Sequence, residues 1–150
     1  MVLLLLILPF LTPICSWCAD FELSDGEWRE RLGRERYNVM RKKGTEPAYT
    51  GRYLDEETPG TYHCAGCEQP LFNSEDKYSE PGSGWPLFKK PIDSKYVVYR
   101  EDRSLSFKRY EVLCRSCESH LGHVFNDGPA PKHLRYTINS ASLLLVVKKH

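Results

Sequence analysis

The chain has 150 residues, enough for one domain with its own core and too few for two comfortable ones. Its 21 Lys and Arg against 20 Asp and Glu leave a formal charge of +1. That balance excludes the long electrostatic footprint of a nucleic-acid binder and gives no reason to expect an acidic partner.

Val2 to Ile14 is almost wholly apolar, and no charged residue precedes Asp20. The run is short for a membrane span, which needs roughly 20 residues, but fits the apolar region of a secretory signal. Small residues at Ser16 to Ala19 offer a cleavage site, although no Lys or Arg precedes the run. The expectation is a signal peptide over 1–18 and a domain over 19–150, secreted or in the secretory lumen and without a membrane span once mature; the alternative is an uncleaved anchor reaching Ala19. Cys15 and Cys18 have the spacing of a redox dithiol, but they end the apolar leader and would leave with it.

Ser24 followed by Glu27 is a capping-box pattern, and Trp28 and Leu32 share one helical face. Gly33 should separate this helix from a second, about Arg34 to Lys42, that turns Tyr37 and Met40 inward and stops at Gly44. The basic residues from Arg29 to Lys43 are interspersed with Glu30 and Glu35, as on a mixed solvated face rather than a binding patch. From Thr45 onward, short aromatic and β-branched stretches alternate with Gly, Pro, Asn and Asp: Gly60 to His63, Tyr96 to Tyr99, Ser104 to Phe107, His123 to Phe125, and Arg135 through Val147. The fold expected is mainly β, with small antiparallel sheets and a short helical N-terminal arm.

Cys64-Ala-Gly-Cys67 and Cys114-Arg-Ser-Cys117 lie 46 residues apart. Two such knuckles supply the four thiolates of a tetrahedral zinc site, one ion per chain. With every position filled by protein the metal would be structural and would contribute folding free energy. The alternatives are two disulfides in an oxidising compartment, or His120 and His123 replacing one cysteine pair as ligands.

In the final stretch, alternation puts Arg135, Thr137 and Asn139 on one face and Tyr136 and Ile138 on the other. A face of Arg, Thr and Asn is poor core material and suits a pocket wall. Taken singly, Trp85 before a proline reads as packing, and His120 and His123 read as structural histidines.

Taken together, these motifs resemble the B-type methionine sulfoxide reductases, which reduce the R epimer of methionine sulfoxide in proteins. The likeness runs from about Asp25 to Leu143. It includes Gly44-Thr-Glu-Pro-Ala-Tyr-Thr-Gly51, both cysteine knuckles, Gly82-Ser-Gly-Trp-Pro, His120-Leu-Gly-His-Val-Phe and Arg135-Tyr-Thr-Ile-Asn-Ser-Ala-Ser-Leu143. The resemblance implies two antiparallel sheets with short helices, and a zinc ion away from the active site. It also implies that Trp85 packs on the substrate's sulfur-bound methyl group, with Asn139 in the same substrate-binding wall. His120 and His123 would hold water and supply a proton to the sulfoxide oxygen, Asp127 would orient that network, and Arg135 would favour a thiolate. The substrate would be a methionine-sulfoxide-containing protein or peptide, and turnover would call for a thioredoxin-type reductant.

At the nucleophile position, between Tyr136 and Ile138, the family has cysteine or selenocysteine; this chain has Thr137. The implied reaction leaves the attacking atom as a sulfenic or selenenic acid that a thiol resets, and an alcohol oxygen cannot follow that path. No cysteine follows Cys117, and none lies between Pro91 and Tyr110, where some relatives keep a resolving thiol. The expectation is weak or lost catalysis, with a non-catalytic, zinc-stabilised sulfoxide-binding module as the alternative.

Overall fold

The computed structural model describes residues 21–149; the expected leader, with Cys15 and Cys18, lies outside them. Helix α1 spans Asp25–Met40 and begins with the anticipated capping box: Ser24 Oγ accepts from the Glu27 amide (3.3 Å) and the Glu27 carboxylate accepts from the Ser24 amide (2.7 Å). Gly33 interrupts it at φ +70°, a left-handed conformation that glycine adopts without steric cost. Trp28, Leu32, Tyr37 and Met40 are buried on either side of that kink. The helix stops two residues earlier than expected, because Lys43 turns left-handed (φ +56°) and the Gly44 amide bonds back to the Asn38 carbonyl at 3.0 Å. No helix among the described residues is long and apolar enough to cross a membrane.

The strands are β1 (Gly60–Cys64), β2 (Pro70–Asn73), β3 (Lys77–Tyr78), β4 (Leu87–Phe88), β5 (Val97–Asp102), β6 (Arg109–Cys114), β7 (His120–Phe125), β8 (Arg135–Ile138) and β9 (Leu143–Val147). They pair antiparallel into a three-stranded sheet, β2-β1-β9, and a six-stranded sheet, β3-β4-β8-β7-β6-β5. Aromatic side chains join the sheets: Tyr62 of β1 meets Phe88 of β4 edge-on at 5.2 Å, and Phe72 of β2 stacks on Phe88 at 4.5 Å. Such pairs add roughly 0.5–1.5 kcal/mol each to the area they bury.

Two expectations need correction. Ser104 to Phe107 is not a strand but the turn of the β5–β6 hairpin, with Leu105 and Phe107 about half exposed (47% and 55%). Arg135 to Val147 is not one strand: it leaves the six-stranded sheet after Ile138, passes a single 3₁₀ turn at Ser140–Ser142, and enters the three-stranded sheet at Leu143. The buried Glu46 carboxylate seals that passage, one oxygen accepting from the Ser140 amide (2.7 Å) and the other from Ala141 (2.9 Å). Buried amides without such a partner would carry the full cost of desolvation.

Candidate functional site

Two clusters stand apart, a thiol centre at one end of the six-stranded sheet and a cleft on its face. The thiol centre is built from two knuckles of the same shape. In each, the first cysteine's carbonyl accepts from the amide four residues on (Glu68 to Cys64, Glu118 to Cys114, both 2.8 Å), and that glutamate is left-handed. All four sulfurs lie within 4.8 Å of one another, with Cys64–Cys117 at 3.7 Å and Cys67–Cys114 at 3.5 Å. A disulfide needs about 2.05 Å, whereas four sulfurs each about 2.3 Å from one tetrahedral ion would be about 3.8 Å apart. The geometry is that of a metal cage, and these four cysteines could hold a metal ion. Neither His120 nor His123 joins the set.

The helical arm is tied to this centre. Arg31 Nε donates to the Gly66 carbonyl in the first knuckle (2.6 Å), and Arg41 Nη1 donates to the Cys117 carbonyl in the second (2.9 Å). The Arg41 guanidinium also lies 4.5 Å above the Trp28 ring, and a Cβ on Gly66 would come 3.3 Å from that indole. A side chain there would be a tight fit, and Trp28 would have to give by a few tenths of an ångström.

The cleft encloses about 330 Å³ and is lined by Trp85, His123, Phe125, Arg135, Thr137 and Asn139, with Glu80 to Ser83 and Arg109 alongside. Its floor follows from strand register. Glu111, His123, Thr137 and Leu87 are direct cross-strand neighbours from β6 through β7 and β8 to β4, so they share one face. Gly122 allows β7 and β8 to close up; a Cβ there would run into the Thr137 carbonyl. Trp85 is fixed by its Nε1–H, which donates to the Glu46 carbonyl at 3.0 Å.

Arg135 stands beside Thr137 as the motif implied: Nη1 donates to Thr137 Oγ1 at 3.0 Å, while Nε and Nη2 grip the Asp127 carboxylate at 2.7 and 2.9 Å. The pairing holds Asp127 below the usual carboxylate range and raises Arg135. Asp127 therefore orients the arginine and not the histidines, which have their own carboxylates. His123 Nε2 meets Asp102 at 2.8 Å, an oxygen also held by Arg109 Nε at 2.9 Å, and His120 Nδ1 meets Glu111 at 2.8 Å. Bonds from Ser104 foremost, then from His123 and Arg109, keep Asp102 ionised well below the carboxylate norm. His123 Nε2 is thus the donor, and Nδ1 is left as an acceptor in the neutral ring. Burial pushes His123 below the ordinary histidine value in spite of Asp102. Burial opposes ionisation of Glu111, but His120 and Lys43 together outweigh it and hold that carboxyl low.

Two expected residues sit differently from the sequence reading. His120 is 2% exposed and does not line the Trp85 cleft; its ring abuts His123 edge-on at 5.4 Å, and its buried Nε2 has no partner among the described residues. Asn139 does line the cleft, but its amide is spent on the backbone: Oδ1 accepts from the Glu46 amide (3.1 Å) and Nδ2 donates to the Leu121 carbonyl (3.1 Å). It braces the wall. Asp102, Arg109, Glu111 and Glu46 are site residues that sequence reasoning missed.

The order of these parts along the chain matches the SelR domain over residues 32–147. The chain belongs to the B-type methionine sulfoxide reductase family. Its relatives include peptide methionine sulfoxide reductase B1, chloroplastic, of Oryza sativa subsp. japonica, 52% identical over 124 residues. That match takes in 82% of this chain but only 57% of the rice protein. The peptide methionine sulfoxide reductase MsrB of Leptospira interrogans is 51% identical over 80% of this chain and 91% of its own length. The MsrB of Azotobacter vinelandii is 51% identical over 79% and 88%. Around Thr137 this chain sets an arginine–aspartate pair and a carboxylate-bound histidine.

Proposed function

We propose that the domain over 19–150 binds methionine-R-sulfoxide side chains of proteins in the Trp85 cleft and turns them over weakly or not at all. The carrying observation is the Thr137 hydroxyl, 3.0 Å from Arg135 Nη1, at the position where the family has cysteine or selenocysteine. Reducing a sulfoxide delivers two electrons to substrate sulfur and takes its oxygen away. A thiolate can supply those electrons and take up the oxygen, becoming a sulfenic acid that a second thiol resets. A threonine oxygen is protonated at neutral pH and has no such oxidised state to pass through.

The remaining groups keep recognition roles. The fixed Trp85 indole offers a flat apolar wall to the S-methyl group. His123 would hold water beside the sulfoxide oxygen, and Arg135 adds positive charge. The ion in the thiol cage is zinc, one per chain, and is structural, since four thiolates leave it no open position. The segment 1–18 routes the domain into the secretory lumen, and a thioredoxin-type donor is needed only if turnover occurs.

The test is turnover of a methionine-R-sulfoxide peptide with dithiothreitol, wild type beside Thr137→Cys. The variant should gain roughly a thousandfold or more, in line with what losing a covalent nucleophile costs; equal rates would return the chain to the ordinary reductases. Metal analysis should find one zinc per chain. Intact mass of secreted material should begin near Ala19.

A further inference from the structure

We propose that the Thr137 hydroxyl donates a hydrogen bond to the sulfoxide oxygen, making Thr137 a residue by which the cleft tells oxidised from reduced methionine. The inference rests on the binding reading above and assigns the nucleophile position a task of its own.

It follows from counting donors. Trp85 Nε1 is spent on the Glu46 carbonyl and Ser83 Oγ on the Trp85 carbonyl, while Asn139 Nδ2 gives one of its two N–H groups to the Leu121 carbonyl. His123 Nε2 is spent on Asp102, Arg109 Nε on the same carboxylate, and Arg135 commits three of its five N–H groups to Asp127 and Thr137. Thr137 differs. Its oxygen accepts from Arg135 Nη1, and its own proton has no acceptor among the described residues. A hydroxyl carries one donor and two acceptor sites, so the bond from Arg135 leaves the donor free to rotate into the cleft. A guanidinium on the lone pair also polarises the O–H and strengthens it as a donor. Thr45, another hydroxyl of the lining, is exposed to solvent.

The ligand supplies what this donor lacks. A sulfoxide oxygen is a strong acceptor, whereas a thioether sulfur is a weak one. A cleft with a free hydroxyl donor beside an apolar indole favours the oxidised side chain, because reduced methionine would leave that hydroxyl unsatisfied as water is displaced. Cross-strand pairing of Thr137 with His123 keeps the donor within the same wall as the ring that would hold water.

Calorimetry with one peptide in two forms, methionine-R-sulfoxide and methionine, tests this on wild type, Thr137→Val and Thr137→Ser. Valine keeps the β-branched shape that suits β8, and serine keeps the hydroxyl. Wild type and the serine variant should prefer the sulfoxide peptide, and valine should weaken sulfoxide binding roughly five- to tenfold while leaving the methionine peptide unchanged. Sulfoxide binding by the valine variant equal to wild type would overturn the role of Thr137 and leave the binding reading standing. No binding of either peptide by wild type would overturn both.

Discussion

Arg135 reaches Thr137 with one guanidinium nitrogen, at 3.0 Å, and holds Asp127 with the other two. The aspartate aims the cation and cancels part of its charge, while a full hydrogen bond still falls on whatever atom occupies position 137. A sulfur placed there by Thr137→Cys should therefore titrate below the free-thiol value of about 8.5. Adding Arg135→Ala to that variant should raise the thiol by about one pH unit or more. Ultraviolet absorbance of the thiolate against pH reads both; an unchanged titration would mean that Arg135 does not act on that position.

The arm and the cage should melt together. Arg41 bridges the Cys117 carbonyl, Ser119 Oγ (3.3 Å) and the Trp28 ring. Arg41→Ala removes charge-assisted bonds and a cation–π contact, and should cost about 2 kcal/mol in urea denaturation. Stripping the metal with a chelator should cost far more, because the bonds that join the two knuckles through one ion are then lost. Circular dichroism of the stripped protein should show loss of fold; a metal-free form as stable as the native one would refute a structural ion.

Much of this was legible in the chain, and the reasons are local. The knuckles could be read because ligand spacing is a short-range constraint, and the Gly33 break because glycine marks it. Alternation placed Arg135 and Thr137 on one face correctly. What could not be read is set by distant partners. Asp102 and Arg109 are direct cross-strand neighbours in a hairpin, but the apolar residues Leu105 and Phe107 between them imitate a strand. Glu111 and Glu46 gave no sign of their roles, since each meets its partner only after the sheets form. The break after Ile138 is likewise decided by Glu46, 94 residues from the Ser140 amide it accepts from. The family resemblance assigned Asp127 to the histidines, whereas in the fold its carboxylate grips Arg135.

His123 should stay neutral at pH 7. Its folded value lies below the ordinary one, so the unfolded chain binds the proton first. Its contribution to stability is complete above about pH 6.5 and declines as pH falls from there to the folded midpoint. NMR titration of the ring should give a midpoint below about 6.5. Asp102→Asn should lower it further, because the carboxylate opposes the effect of burial. A midpoint above 6.5, or one that rises in the Asn variant, would contradict the assignment of His123 as a neutral Nε2–H donor.

Glu46 is where recognition and fold meet. Its carboxylate closes the Ser140 and Ala141 amides, its own amide is held by Asn139, and its carbonyl holds Trp85. Glu46→Gln keeps one good acceptor and should cost about 1–2 kcal/mol, whereas Glu46→Ala orphans two buried amides and should cost about 3 kcal/mol or more. Because Trp85 is bound through backbone that the carboxylate positions, both variants should also weaken binding of the sulfoxide peptide, alanine more than glutamine. Denaturant titration and calorimetry on the same samples separate the two effects. Full affinity in a destabilised but folded Glu46→Ala protein would show that Trp85 is held by its own packing and not through Glu46.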